Sequence, residues 1–193
     1  MWSAAILAGG KASRFDGRDK SALVVDGRTI LERQLSELSP VASEILLVGT
    51  GAPRESVRLV ADIVPGSGPL GGLHTALTEA ACEVVVVVAC DMPYVSGPFV
   101  AHLAGLATGA DAVVPQTERG YHPLCAAYTR ACLLPIAGRL ANRRLTMMDA
   151  LADLNVRVVA AEEIERFGRR HRLLANVNTP AEHSGLALQS HEL

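Results

Sequence analysis

Five consecutive valines, Val84 to Val88, run directly into Ala89-Cys90-Asp91, and this segment constrains the fold more than any other. β-branched residues are stiff in helices and pack well in strands. A strand with one solvated face would alternate apolar with polar residues. An unbroken apolar run instead marks a strand covered on both faces, as in the centre of a parallel sheet. Parallel strands need helical crossovers, so the chain should supply helices for both faces. It does: apolar strand-like runs at Ser3–Ala8, Glu44–Val48, Val57–Val64, Ala112–Val114 and Val156–Ala160 alternate with helical patterns. Thr29-Ile30-Leu31-Glu32 has capping-box spacing, and Ile30, Leu31, Gln34, Leu35 and Leu38 continue its apolar face. Further helices are predicted over Leu73–Ala81, from a Ser96 cap through Leu106, over Thr129–Leu140 and over Thr146–Leu154, with a last strand in Leu173–Pro180. The prediction is an α/β, three-layer, Rossmann-like domain with a mostly parallel central sheet. It covers residues 1–183 as one domain, with 184–193 as a flexible tail.

Composition removes several classes of function. The 193 residues carry 18 basic and 20 acidic side chains, a formal charge of −2, which disfavours a broad nucleic-acid-binding face. The start lacks a basic leader and no apolar run approaches a bilayer span, so a cytoplasmic protein that does not enter the membrane is expected. Cys82, Cys90, Cys125 and Cys132 have neither zinc-site nor disulfide-scaffold spacing and read as buried free thiols. Of the 18 basic residues only Lys11 and Lys20 are lysines, and both fall in one early stretch.

That stretch, Leu7 to Lys20, is a glycine-led loop containing Gly9, Gly10, Lys11, Ser13, Arg14, Arg18 and Lys20. It matches neither the G-x-G-x-x-G fingerprint nor the Gly-Lys-Ser/Thr of a Walker loop. Adjacent glycines can turn backbone N–H groups toward an anion, and the cations suit a phosphate. An ordinary polar surface loop has the same composition. A second glycine-rich segment, Pro65 to Gly72, reads as a loop open to close backbone approach. Asp91 should project at the carboxyl edge of the sheet, where open α/β sheets bind ligands. There it suits Mg²⁺ as a hard oxygen ligand, although a turn or helix-cap aspartate has the same spacing.

Leu7-Ala8-Gly9-Gly10, Ser13-Arg14 and Gly17-Arg18-Asp19-Lys20-Ser21 together resemble the signature loop of the NTP transferases that activate small metabolites. In order and spacing, Gly68-Pro69-Leu70-Gly71-Gly72, Cys90-Asp91-Met92-Pro93-Tyr94, His122-Pro123 and Asn176-Val177-Asn178-Thr179-Pro180 extend the likeness to the molybdenum cofactor guanylyltransferases across nearly the whole chain. Asp16 departs from the family pattern by placing a carboxylate near the expected triphosphate path. Gly49-Thr50 stands where some members carry an asparagine.

The resemblance implies a nucleotidyltransferase fold and a reaction in which GMP passes from GTP to molybdopterin, with Mg²⁺ as cofactor. It assigns Lys20, Arg14 and Asp91 to catalysis, Leu7, Ala8, Gly9, Gly10, Lys20, Asp62 and Asp91 to the nucleotide, and Asp91 to the metal. Leu70, Gly71, His122, Asn176 and Asn178 fall on the pterin side, where His122 can equally be a structural histidine. Asp62 can equally be a solvated strand-end residue. Cofactor-delivery or acceptor proteins are further partners this role implies, and Arg169-Arg170-Arg172 reads either as a solvated face or as an anion-docking patch. A related enzyme using CTP or another acceptor, and a nucleotide-binding module without turnover, are the competing readings.

Overall fold

A computed structural model of the chain describes residues 1–8, 23–52 and 54–177. The valine run is β6 (Val84–Ala89) in a sheet ordered β10-β7-β9-β6-β1-β4-β5. The other members are β1 (Ser3–Leu7), β4 (Glu44–Val48), β5 (Arg58–Val60), β7 (Ala112–Thr117), β9 (Cys125–Thr129) and β10 (Val156–Val159), with a short β8 (Gly120–Tyr121) folded back on β7. β1 pairs in parallel with β6 and β4, β4 with β5, and β7 with β10. β9 is the exception: it lies antiparallel between β6 and β7.

The two faces of β6 explain its composition. Val86 and Val88 enter one apolar layer with Leu31 and Leu38 of α1 (Ile30–Leu38), Phe99, Val100 and Leu103 of α3 (Gly97–Gly105), Ile164 of α6 (Ala161–Ile164) and Leu173 of α7 (Arg170–Leu173). Val85 and Val87 enter the other with Leu70, Leu73 and Leu77 of α2 (Gly68–Glu79), Ile136 and Leu140 of α4 (Leu133–Ala141) and Leu151 of α5 (Met147–Leu151). Val85 to Val88 are each fully buried, so every second position loses a place for a polar residue. The result is the three-layer α/β arrangement with a mostly parallel sheet.

Thr29 closes the expected capping box: its hydroxyl accepts from Glu32 N–H at 3.2 Å, and the Glu32 carboxylate accepts from Thr29 N–H at 2.9 Å. Elsewhere the boundaries move. The polar stretch ahead of α1 contains a hairpin, β2 (Val24–Val25) and β3 (Arg28–Thr29), turned by Asp26 and Gly27 at φ 49° and 78°. Asp-Gly is the residue pair such a turn selects. Helix α2 begins at Gly68, so the Gly-Pro-Leu-Gly-Gly segment is its first turns and not an open loop; Pro69 is tolerated there because a first-turn N–H has no helical partner. Where a strand was expected over Leu173–Pro180, the described residues form the single helical turn α7 followed by backbone at 175–177 that joins no strand, with Val177 N–H donating to Asp91 C=O. β5 is shorter than expected, stopping at Val60.

Candidate active site

The parallel strands put their carboxyl ends on one edge. Leu7 of β1 lies opposite Ala89 of β6, and Leu7 C=O accepts from Cys90 N–H at 3.2 Å. Ala8 N–H reaches Val48 C=O at 2.8 Å, which ties in the end of β4. Asp62 follows the end of β5 and leads into the N-terminus of α2. Because β9 runs the other way, its first residue pairs with Val88, so the preceding His122-Pro123 also lies on this edge. Four strands, β1, β5, β6 and β9, therefore deliver Leu7, Ala8, Asp62, Asp91 and His122 to one side of the sheet.

Asp91 is the most closely held of them. Asn176 Nδ2 donates to its Oδ1 at 2.8 Å, and Val177 N–H donates to its main-chain carbonyl at 2.8 Å, joining segments 85 positions apart in sequence. From α1, the fully buried Gln34 donates through Nε2 to Ala89 C=O at 2.7 Å and to Met92 C=O at 3.0 Å, bracketing Asp91 on both sides. In the sequence Gln34 lies on the apolar face of α1, and no motif gives it a role. A lone amide on an otherwise apolar stripe was the available signal, since a buried amide needs partners.

Asp62 has no hydrogen-bond partner among the described residues, and burial pushes its carboxyl above the usual aspartate range. Burial also holds His122 below the ordinary histidine value, with Arg119 adding to the effect and Glu118 opposing it. Its Nε2 lies 2.9 Å from Thr117 Oγ1. That hydroxyl also accepts from Arg119 N–H at 3.2 Å, which ties the His122 ring to the turn after β7. Leu70 is completely buried and spends its side chain on the core. At Gly71 a Cβ would come within 2.8 Å of Ser67 Cβ and 3.1 Å of Val64 C=O, so this position lets the start of α2 pack against the segment leaving β5. Gly9, Gly10, Lys11, Arg14, Asp16, Lys20 and Asn178 lie outside the described residues.

The four thiols are free, but burial, expected of all four, holds for Cys125 and Cys132 alone, where it pushes both up to about 12; Cys82 and Cys90, each beside an end of β6, are half-buried. No helix among the described residues is long and apolar enough to cross a membrane. Nor do the described residues hold a cluster of three or more His, Cys, Asp or Glu side chains fit to bind a metal.

Residues 4–158 match the MobA-like NTP transferase domain. A protein of Carboxydothermus hydrogenoformans named "Probable molybdenum cofactor guanylyltransferase" is 33% identical over 184 residues, covering 94% of this chain and 93% of its own length. The molybdenum cofactor guanylyltransferase of Desulfosudis oleivorans is 30% identical over 182 residues, with 92% and 90% covered. Among solved structures, molybdopterin-guanine dinucleotide biosynthesis protein A of Archaeoglobus fulgidus superposes with a TM-score of 0.83 at 25% identity, over 99% of this chain and all of that one. A β6 edge with Asp91 locked to Asn176, in a chain matched almost end to end by these relatives, leads to one conclusion: the chain belongs to the MobA-like NTP transferases, among the molybdenum cofactor guanylyltransferases.

Proposed function

We propose that the protein transfers GMP from GTP to molybdopterin. An oxygen of the acceptor's phosphate forms a bond to the α-phosphorus of GTP, the bond between that phosphorus and the α,β-bridging oxygen breaks, and pyrophosphate departs with its electron pair. A phosphate monoester is already anionic near neutral pH, so the step needs no general base, and positioning with charge neutralisation supplies the catalysis. The observation that carries this reading is the Asp91–Asn176 contact, which brings two of the motifs that carry the resemblance to the guanylyltransferases into hydrogen-bonding distance at the sheet edge.

Mg²⁺ fits this site. It is commonly held by one or two carboxylates together with substrate phosphates, and Asp91 is a hard oxygen donor whose orientation is fixed by Asn176 and by the bracket from Gln34. When bound it would offset charge on the phosphate oxygens. Lys20 and Arg14 hold the triphosphate and the charge growing on the departing pyrophosphate. Asp62 reads the base: its carboxylate pays a burial cost that the adjacent N1–H and N2–H donors of guanine would relieve. Asn176, Asn178 and His122 face the pterin.

The test is GMP transfer with purified chain, GTP, Mg²⁺ and molybdopterin, scored by pyrophosphate release and by formation of the dinucleotide. Lys20→Ala or Asp91→Ala should lower turnover by about 10²–10³, the scale for removing one preorganised charge stabiliser. Turnover near wild type in either variant would overturn its assignment. CTP serving as well as GTP would overturn the base assignment, and no pyrophosphate release with any nucleotide would favour a binding module.

A further inference from the structure

On the flank built by α1, the segment after Asp91 and α7 lies a cavity of about 330 Å³. Its walls include Arg28, Arg33, Tyr94, Arg169, Arg172 and Glu37, none of which is assigned to the nucleotide or the pterin. Arg33 is built in: Nε donates to Pro93 C=O at 3.0 Å, Nη1 reaches Val25 C=O at 3.4 Å, and Asp26 lies 3.6 Å away. The Tyr94 ring carries two cations, with the guanidinium of Arg172 at 4.4 Å from its centroid and that of Arg33 at 5.1 Å. This stacking holds Arg172 toward the cavity although it is otherwise exposed.

The charges do not balance. Among the described residues Arg169 and Arg172 make no ion pair, and Arg28 spends only one N–H, on Glu32 C=O at 3.3 Å. The single carboxylate in the wall, Glu37, is partly engaged by Gly97 N–H at 2.8 Å. Arg170, between the two unpaired arginines in sequence, is by contrast neutralised by Glu118 at 3.2 Å and by Glu165. The arginine cluster is therefore sorted: one member is consumed internally and two are presented to a concavity already holding two more. Four guanidinium groups around one cavity repel each other unless an anion joins them. Guanidinium forks match the oxygens of phosphate in pairs, and the volume suits a small molecule.

We propose that this cavity is a second anion site, which binds a small phosphate-bearing ligand carrying two or more negative charges. The ligand can be free pyrophosphate or the phosphate of a nucleotide monoester, and the two are separable. Titration calorimetry on the full-length Lys20→Ala chain, which weakens the catalytic loop, should detect binding of inorganic pyrophosphate, of GMP, or of both, according to the source. Arg169→Gln/Arg172→Gln in that background should weaken the binding about tenfold or more, whereas Arg170→Gln should leave it unchanged. Arg28→Gln, on a different element, should weaken it as well, which covers the case in which the α7 variants fail to fold. Retention of full affinity by the Arg169/Arg172 and Arg28 variants overturns the proposal. So does the absence of binding at millimolar ligand, or an arginine-dependent affinity for hexaglutamate alone, which would make the cavity a protein-docking surface.

Discussion

Replacing Gln34 with leucine tests whether the strand-end aspartate is held in place from outside the site. The substitution deletes two hydrogen bonds, to Ala89 C=O and Met92 C=O, each contributing about 0.5–1.5 kcal/mol net. Ala89 C=O keeps a second donor, Met92 N–H at 3.3 Å, whereas Met92 C=O has no other donor among the described residues. The orphan thus created costs about 1–3 kcal/mol. Gln34 Oε1, however, is itself buried without a partner, and leucine removes that penalty. The two orphan terms offset, and the lost hydrogen bonds remain. The expected destabilisation is about 2 kcal/mol, or a fall in Tm of about 4–8 °C for a chain of this length.

A merely structural Gln34 would end there. A positioning Gln34 also displaces Asp91, and misplacement of a reacting group by about 1 Å can cost up to 10²-fold. Urea denaturation measures the first effect. Turnover against Mg²⁺ concentration, well below the melting temperature, measures the second, with kcat lower or the half-saturating Mg²⁺ higher by about tenfold. Gln34→Glu sharpens the contrast. Its carboxylate opposes two carbonyl oxygens, but its protonated form can donate to one of them, so turnover relative to wild type should rise as pH falls. Wild-type turnover and Mg²⁺ dependence in Gln34→Leu, with the stability loss present, would refute the positioning role; unchanged stability would refute the hydrogen-bond reasoning itself.

Gly71→Ala should destabilise the chain by about 1–3 kcal/mol, the usual cost of overpacking, because its Cβ meets Ser67 and a main-chain oxygen that cannot swing away; a denaturation midpoint equal to wild type contradicts this. His122 is held below the ordinary value near 6.5, so the unfolded chain binds more protons in the window between the folded and unfolded values. Its contribution is complete above that window and is lost as pH falls from about 6.5; His74, lowered by burial, adds in the same direction, while Asp62, raised by burial, opposes at lower pH. Urea midpoints from pH 7.5 to 5.5 should therefore decline, and His122→Gln should flatten the decline. Iodoacetamide at pH 8 should modify Cys82 and Cys90 while Cys125 and Cys132, pushed up to about 12 in the core, wait for unfolding; rapid labelling of all four would contradict their burial.

The central strand was readable because five valines can be accommodated in few ways, and both flanking helix layers follow from it. The strand beside it was not. Cys125-Ala126-Ala127-Tyr128 carries little strand propensity, yet these residues are fully or almost fully buried between β6 and β7. Small side chains there satisfy a crowded sheet interior, a requirement imposed by neighbours and invisible to local pattern. The start of α2 was hidden for a related reason. Gly68, Gly71 and Gly72 read as a loop open to close approach by a ligand, but Gly71 and Gly72 are small because Ser67 and Leu7 approach them closely. Likewise, Leu173-Leu174 looked like a strand, and their burial is real, but they form a helical end capping one sheet face.

Catalytic geometry is further removed from local pattern still. Motif order announces Asp91 and Asn176 separately; only the sheet topology and the return of the chain after α7 bring the amide within 2.8 Å of the carboxylate. Gln34 is farther away again, since its work is done on the carbonyls either side of Asp91 and no motif contains it. A site of this kind has two levels of legibility. Residues that touch substrate carry chemical types that can be recognised in order along the chain. Residues that hold them carry no type of their own, and are found by asking where a buried polar atom finds its partners. The same question applied to the arginines separates Arg170, whose partners are Glu118 and Glu165, from Arg169 and Arg172, which line the cavity beside α1 and make no ion pair among the described residues.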